Sequence, residues 1–127
     1  MSHTAENKKV LIVEDERPMR EALCNKFKQE HFNVFEAKNG EEGLKVALQE
    51  HPDMILLDII MPVMDGMAML EKLRLDFWGK TANVIMLTNI DNKSNITEAM
   101  QKGVLQFLVK SDWKIEEVLH IVQEKLK

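Results

Sequence analysis

The chain has 127 residues and a mildly acidic composition, with 17 basic and 21 acidic side chains and a net charge of −4. This length suits one domain with its own hydrophobic core, and the acidity argues against direct nucleic-acid binding, which normally needs a basic surface. The single cysteine, Cys24, excludes an internal disulfide, and no apolar segment is long enough to span a bilayer. Because the first nine residues lack the apolar core of a secretory signal, we expect a soluble cytoplasmic domain with no membrane partner.

Apolar residues alternate along the chain between two patterns, one typical of short buried strands and one typical of helices. Short apolar runs predict five strands, at residues 10–13, 34–35, 54–57, 84–87 and 106–109. Helical spacing predicts five helices that follow them, at residues 18–30, 44–51, 67–77, 91–102 and 115–126. The fourth helix is the weakest because it is rich in Asn, Ser and Thr, and the last has Ser111 or Asp112 as its predicted cap.

Five strand–helix repeats with short connections predict a parallel sheet that is covered by helices on both faces and joined by right-handed crossovers. We expect a doubly wound α/β fold with the strand order 2-1-3-4-5, one of two common solutions. In that order the first and third strands are neighbours, and the strand order reverses between them. Sheets of this kind bind their ligands at that point, beyond the carboxyl ends of the strands.

Polar side chains stand at the carboxyl ends of four predicted strands, namely Glu14 and Asp15, Asp58, Thr88 and Lys110. All of them are expected at one edge of the sheet. Three carboxylates in contact would repel each other by roughly 4 kcal/mol per pair at an effective dielectric constant near 20. That repulsion exceeds what a small domain tolerates without a compensating cation. Hard oxygen ligands with no His or Cys nearby favour Mg²⁺.

The same residues predict a reaction. A carboxylate beside Mg²⁺, with the hydroxyl of Thr88 and the ammonium of Lys110 opposite, can accept a phosphoryl group as an aspartyl phosphate on Asp58. A phosphate-binding loop is not predicted, because the pattern GxxxxGK[ST] is absent. A flavin phosphate would be repelled by the acidic residues 14–16, which disfavours an FMN electron carrier on the same fold.

In these motifs the sequence resembles the receiver domain of two-component response regulators, of the chemotaxis-regulator kind, along essentially its whole length. The matching features are the acidic pair in VEDE (13–16), the segment LLDIIMPVMDG (56–66), Thr88 and Lys110. The resemblance implies a (βα)5 flavodoxin-like fold and a single receiver domain over residues 1–127, with a core spanning residues 8–126.

The resemblance also implies roles for individual residues and partners. Asp58 would be the phosphoacceptor, with Thr88 and Lys110 contacting the phosphoryl group. The implied Mg²⁺ ligands are Glu14 through water, Asp15, Asp58 and the backbone carbonyl of Ile60. The phosphoryl donor would be a phosphohistidine on a sensor histidine kinase or on a phosphotransfer domain. Such a domain is not an enzyme, beyond promoting its own phosphorylation and slow dephosphorylation.

The resemblance makes Phe107 a switch aromatic that works together with Thr88. If Thr88 moves toward a phosphoryl group, it vacates space beside the fourth strand, and Phe107 could rotate into that space. The weak helix at residues 91–102 is the natural element to respond. The surface over residues 91–126 would then regulate a downstream protein or effector domain. A permanently buried Phe107 is the alternative.

One departure from the family pattern follows the last strand. Ser111 comes after Lys110, where a proline is usual and often forms a cis bond. We expect a trans peptide bond here, because a cis bond without proline costs about 2.5–4 kcal/mol.

Further departures surround the phosphoacceptor position. Asn89 stands where a small residue is usual, and it could crowd the phosphoryl group. Ile60 and Ile90 are bulky and apolar at two positions that influence dephosphorylation in the family. Both could exclude the attacking water, so we hypothesise a long-lived phosphoryl group.

Two other functions are weighed against phosphorylation-switched signalling. A phosphatase of the haloacid dehalogenase type, with Asp58 as nucleophile, would need a second acid two residues on, where Ile60 stands. An interaction module that is independent of phosphorylation is kept open by Asn89 and Ser111. The sequence also leaves open whether the chain is a single-domain regulator or part of a larger one, and which kinase, target and dimer state belong to it.

Overall fold

The computed structural model of the protein describes residues 7–88 and 93–127. Its strands are Lys9–Val13 (β1), Asn33–Ala37 (β2), Met54–Asp58 (β3), Val84–Thr88 (β4) and Gln106–Val109 (β5). Its helices are Arg17–Gln29 (α1), Gly40–Glu50 (α2), Gly66–Leu75 (α3), Lys93–Gln101 (α4) and Ile115–Lys125 (α5). The strands are parallel in the order β2-β1-β3-β4-β5, which confirms the predicted doubly wound fold. The predicted start of the fourth helix, at residues 91–92, lies outside the described residues.

Two apolar layers pack against the sheet, one on each face. Alternate residues of each strand point to opposite faces, so Leu11 and Leu57 join one layer while Ile12 and Leu56 join the other. The first layer is completed by α2, α3 and α4, and the second by α1 and α5. Apart from Lys9, Asp58 and Thr88, the residues of the central strands β1, β3 and β4 are apolar and buried, as expected for a sheet that is covered on both sides.

Register places the strand ends side by side. Val13 of β1 lies opposite Leu57 of β3, and Asp58 is level with Leu87 of β4. The carboxyl ends of β1, β3, β4 and β5 therefore lie along one edge of the sheet.

The loop after β3 is held by a glycine that no larger residue could replace without movement. The Gly66 N–H donates to the Ile59 carbonyl at 2.8 Å, and a Cβ at this position would lie 2.1 Å from the Asp58 carbonyl oxygen. The preceding Asp65 caps α3 by accepting a hydrogen bond from the Ala68 N–H at 2.8 Å. This short loop fixes the backbone that carries Asp58.

The segment between β5 and α5 differs in part from the prediction. Lys110–Asp112 forms a 3-10 turn, so Ser111 and Asp112 do not cap the last helix, and that prediction was wrong. The helix begins at Ile115 instead. Its first turn is closed by the Glu117 side chain, which accepts a hydrogen bond from the Lys114 N–H at 2.8 Å. No cis peptide bond occurs in residues 7–88 and 93–127, which confirms the trans bond between Lys110 and Ser111.

The third helix is shorter than predicted. It ends at Leu75 rather than at Phe77, because Asp76 turns the chain and accepts a hydrogen bond from the Gly79 N–H at 2.8 Å. Leu75 and Phe77 consequently project into solvent, with 80% and 91% of their surface exposed. None of the helices in the described part of the chain is long and apolar enough to cross a lipid bilayer.

Candidate functional site

The polar residues at the strand ends form one buried group at the carboxyl edge of the sheet. Glu14, Asp58, Thr88 and Lys110 are each more than nine-tenths buried, although their neighbours along the strands are apolar. Buried charges of this kind persist only where partners compensate them. The structure therefore brings together the residues that the strand-end pattern selected.

Three carboxylates in this group point toward a common position. One oxygen each from Glu14, Asp15 and Asp58 lies within 4.8 Å of the others. Oxygens on opposite sides of a single Mg²⁺ lie about 4 Å apart, because each Mg–O distance is about 2.0–2.1 Å. This all-oxygen donor set fits a hard divalent cation, and it contains no ligand that zinc would favour.

A small cavity gives the carboxylates access to solvent. Its volume is ≈ 230 Å³, and it is lined by Asp15, Glu16, Asp58 and Ile60. Asp15 and Ile60 are exposed at its mouth, whereas Asp58 lies at its base with 4% of its surface exposed. A ligand entering from solvent would thus reach Asp58 past a rim that carries two further acids.

Lys110 reaches into the cluster from the end of β5. Its ammonium donates to Oε1 of Glu14, to Oδ2 of Asp58 at 3.1 Å, and to Oε1 of Glu16 at 3.4 Å. Burial lowers the pKa of Lys110, but the hydrogen bond to Glu14 and the charges of Asp58 and Glu14 outweigh burial and raise it overall. Lys110 is therefore held as a cation.

Asp58 experiences the opposite balance. Burial and the charge of Glu14 raise the pKa of Asp58 from 3.8 to about 7, although the hydrogen bond and charge of Lys110 act to lower it. One ammonium cannot fully compensate carboxylates on both sides of it. The edge consequently carries more negative charge than Lys110 balances, and a second cation would stabilise it.

Two residues of the β1–α1 region support the cluster but were not among the predicted site residues. Arg20 donates from Nη1 to the backbone carbonyls of Glu14 at 2.9 Å and Asp15 at 3.4 Å. Glu16 places its N–H 3.0 Å from Oε2 of Glu14, and its side chain lines the cavity. The only sequence signal was their closeness to the acidic run at residues 14–16, which does not specify contacts.

The two residues predicted to form the switch share a face of the sheet. Thr88 of β4 lies opposite Val109, and Met86 lies opposite Phe107. Because side chains alternate along strands, Thr88 and Phe107 point to the same side. Phe107 is half-buried against the apolar layer that also contains Ala99 of α4. Asn89 and Ile90, which were predicted to influence the phosphoryl group, lie outside the described residues.

Comparison with known protein families gives a match over most of the chain. The family model of the response regulator receiver domain matches residues 10–123. Sporulation initiation phosphotransferase F of Bacillus subtilis (strain 168) is 32% identical over 120 residues, which are 94% of each chain. Transcriptional regulatory protein SrrA of Staphylococcus aureus is 35% identical over 112 residues, 88% of this chain and 45% of SrrA. The chain thus spans about half the length of SrrA.

Solved structures show the same similarity. A chain of the CheX-CheY-BeF3-Mg+2 complex from Borrelia burgdorferi is 28% identical and superposes with a TM-score of 0.88, over 100% of this chain and 99% of that one. The chemotaxis response regulator CheY4 of Vibrio cholerae is also 28% identical, with a TM-score of 0.84 over 93% of this chain and 98% of that one.

Proposed function

The chain belongs to the response regulator receiver domain family, and from that membership and the geometry of the site we propose that Asp58 is the phosphoacceptor of this domain. A receiver domain acts in two-component signalling that is switched by phosphorylation. One observation supports the assignment to Asp58 in particular. Among the carboxylates that contact the Lys110 ammonium, Asp58 is the buried one that also lines the cavity, so it offers a reachable oxygen 3.1 Å from a fixed positive charge.

Transfer requires Asp58 in its carboxylate form. One carboxylate oxygen attacks the phosphorus of a donor phosphohistidine, the P–N bond breaks, and the electron pair returns to the imidazole nitrogen of the donor. Lys110 donates a hydrogen bond to the transferred group, and the hydroxyl of Thr88 donates to another of its oxygens.

Mg²⁺ is the cation that we propose for the acidic cluster. Asp15 and Asp58 would bind it directly, the Ile60 backbone carbonyl would be a further ligand, and Glu14 would act through a water molecule. Glu14 is the least available ligand because its oxygens already accept hydrogen bonds from Lys110 and from the Glu16 N–H. When bound, the ion neutralises negative charge on the acceptor and on the transferring phosphoryl group.

The switch follows from new hydrogen bonds to the phosphoryl group. Contacts from Thr88 and Lys110 are worth about 1.5–3 kcal/mol each, and roughly 5.5 kcal/mol inverts a 1:99 population. A shift of Thr88 would free space on the face that it shares with Phe107, next to the layer in which α4 packs. The surface over residues 91–126 would then present the signal to a downstream protein or effector domain.

We also propose that the phosphoryl group on Asp58 is long-lived. Ile60 lines the cavity mouth with 54% of its surface exposed, and its apolar side chain cannot orient a hydrolytic water. Asn89 and Ile90 belong to the same proposal by sequence position alone. Exchange of Ile60 for Asn should shorten the half-life of isolated phosphoprotein, and a half-life of seconds in the unmodified protein would contradict this proposal.

The proposal extends to partners and location. A sensor histidine kinase or a histidine phosphotransfer domain would supply the phosphoryl group, in the cytoplasm, and the domain itself would bind neither nucleic acid nor membrane. Its chemistry would be limited to its own phosphorylation and slow dephosphorylation. We propose that residues 1–127 form one receiver domain, with a core over residues 8–126.

Phosphorylation of the purified chain tests the assignment. With Mg²⁺ and acetyl phosphate, intact mass spectrometry should show the addition of one phosphoryl group, and peptide mapping should place it on Asp58. The Asp58→Asn variant should not be labelled, whereas Asp112→Asn, a control at an exposed carboxylate, should be labelled normally. Equal labelling of Asp58→Asn would refute the assignment. Absence of labelling in every protein would favour an interaction module that is independent of phosphorylation.

A further inference from the structure

Glu16 adds a further carboxylate to the cavity above Asp58. It lies just before α1, lines the cavity beside Asp15 and Ile60, and has 56% of its side chain exposed. Its Oε1 is 3.4 Å from the Lys110 ammonium. Glu16 is thus the exposed member of the group of acids that Lys110 contacts, because Glu14 and Asp58 are buried.

The backbone directs this side chain toward Lys110. The Glu16 N–H donates to Oε2 of Glu14 at 3.0 Å, which fixes the position from which the side chain extends. The arginines of the same helix are engaged elsewhere, since Arg17 pairs with Glu21 at 2.9 Å and Arg20 pairs with Glu36 at 3.1 Å. Lys110 is the cation that Glu16 contacts within the described part of the chain.

We propose that Glu16 is a specificity-determining residue for phosphorylation, because its carboxylate competes with the incoming phosphoryl group for Lys110 and repels free anionic phosphodonors. This inference rests on the proposed function of Asp58. A phosphoryl group that reaches Asp58 must accept a hydrogen bond from Lys110. Before the phosphoryl group arrives, Glu16 already accepts a hydrogen bond from that ammonium. Glu16 also faces the donor as it enters, so its effect grows with the negative charge of the donor.

The size of the effect follows from the exposure of Glu16, since Lys110 itself is buried. Ion pairs with an exposed partner are worth about 0.2–1 kcal/mol, so removing this charge should change a rate by up to about fivefold. A contact at the mouth of a solvent-filled cavity is also screened by salt. The effect should therefore shrink as ionic strength rises.

Two phosphodonors of different charge separate specificity from a general gain in rate. Acetyl phosphate is a dianion in neutral solution, whereas phosphoramidate carries less negative charge and transfers from nitrogen. With acetyl phosphate, the Asp58 oxygen forms a bond to phosphorus while the P–O bond breaks, and acetate leaves with the electron pair. Initial rates with both donors would be read by intact mass, at a Mg²⁺ concentration that saturates each variant.

Three variants make the comparison. Glu16→Gln removes the charge, and Glu16→Asp keeps it while shortening its reach. Glu21→Gln makes the same change of net charge on α1, at an exposed residue that pairs with Arg17. Acetyl phosphate should phosphorylate Glu16→Gln faster than the unmodified protein, by up to about fivefold, and phosphoramidate should show a smaller gain. The rate of Glu16→Asp should lie between those of Glu16→Gln and the unmodified protein. The rate of Glu21→Gln should equal that of the unmodified protein.

The outcomes separate this inference from the proposed function. Equal rates for Glu16→Gln and Glu21→Gln would overturn the role of Glu16 while leaving Asp58 as the acceptor. An equal gain with both donors would overturn donor selection. If no protein is labelled, the proposed function fails, and the role of Glu16 fails with it. Unfolding curves for each variant establish that the rates compare folded proteins.

Discussion

Two buried or half-buried cations stand at opposite edges of the sheet. Lys110 follows β5 at the carboxyl edge and contacts the carboxylates of Glu14, Asp58 and Glu16. Arg74 extends from α3 to the loops that lead into β4 and β5, at the amino edge. Among the described residues, its guanidinium donates to backbone carbonyls only, those of Gly79 and Lys102 at 2.7 Å, Ala82 at 2.9 Å and Gly103 at 3.3 Å.

The two cations differ in what surrounds them, and their pKa shifts run in opposite directions. Burial lowers the pKa of Arg74, since neutral carbonyl dipoles supply no opposing charge. The pKa of Lys110 is raised in spite of burial, because neighbouring carboxylates outweigh that burial. Backbone carbonyls accept the hydrogen bonds of Arg74, and they have no net charge that a ligand could neutralise. Lys110 lies among more carboxylates than it balances, and the proposed Mg²⁺ and phosphoryl group would bind there. Arg74 thus carries a structural charge, whereas the charge of Lys110 is available for the proposed function.

Removing the Lys110 charge should have the largest effect. Lys110→Met leaves Glu14 and Asp58 buried without their cation, and breaking a buried pair from one side costs roughly 3–5 kcal/mol. The free energy of unfolding in EDTA should fall by about that amount, and labelling of Asp58 should be lost. Urea unfolding and intact mass give the two readouts.

A second substitution checks the cause of that loss. Adding Asp58→Asn to Lys110→Met removes one of the stranded anions, so this exchange should stabilise Lys110→Met by more than it stabilises the unmodified protein in EDTA. If Asp58→Asn changes stability by the same amount in both backgrounds, Lys110 stabilises through packing and not through charge.

Removing the Arg74 charge should weaken the fold without changing the chemistry. Arg74→Met leaves buried carbonyls of the two loops without their donor, which should lower the free energy of unfolding by roughly 2–4 kcal/mol. The folded fraction should still be phosphorylated at the normal rate. Arg17→Met is the control, because Arg17 forms an exposed pair whose loss should change stability little. A large fall in the phosphorylation rate of Arg74→Met would remove the distinction between the two cations.

The pH dependence of stability should also separate the two edges. Asp58 has a pKa of about 7 in the folded protein and an ordinary value near 4 when unfolded, so the folded state holds a proton that the unfolded state releases. In EDTA the unmodified protein should therefore lose stability, relative to Asp58→Asn, as pH rises from about pH 4 to pH 8. Arg74→Met should show no such trend relative to the unmodified protein. If the stability difference between the unmodified protein and Asp58→Asn does not change with pH, or changes in the opposite direction, the surplus of negative charge is contradicted.

The carboxyl edge was predictable from sequence to a degree that the amino edge was not. Asp58, Thr88 and Lys110 end or follow apolar runs, and strand order alone brings the ends of such runs together. Arg74 gave no signal, because a basic residue in the last turn of a helix is usually solvated. Its partners belong to two loops that are distant in sequence, so only tertiary packing identifies them.

Local competition explains the remaining differences. Ser111 and Asp112 are good helix caps by residue type, but the 3-10 turn after β5 uses both of them before the helix starts. Glu16 was taken only as part of an acidic run, since its contact with Lys110 spans 94 positions of sequence. Propensity and spacing therefore predicted the elements and the edge at which the site forms. Which additional charged residues belong to the site depends on side-chain contacts between distant elements, which the sequence does not specify.

Stability of the unmodified protein and Asp58→Asn, each in EDTA and in saturating Mg²⁺, tests the surplus charge most directly. In EDTA, Asp58→Asn should be more stable by roughly 1–3 kcal/mol, because it removes a buried carboxylate that Lys110 does not fully balance. Mg²⁺ should stabilise the unmodified protein and should stabilise the variant much less. If Asp58→Asn is instead less stable in EDTA, or if Mg²⁺ stabilises both proteins equally, the carboxyl edge carries no surplus for a metal ion to neutralise.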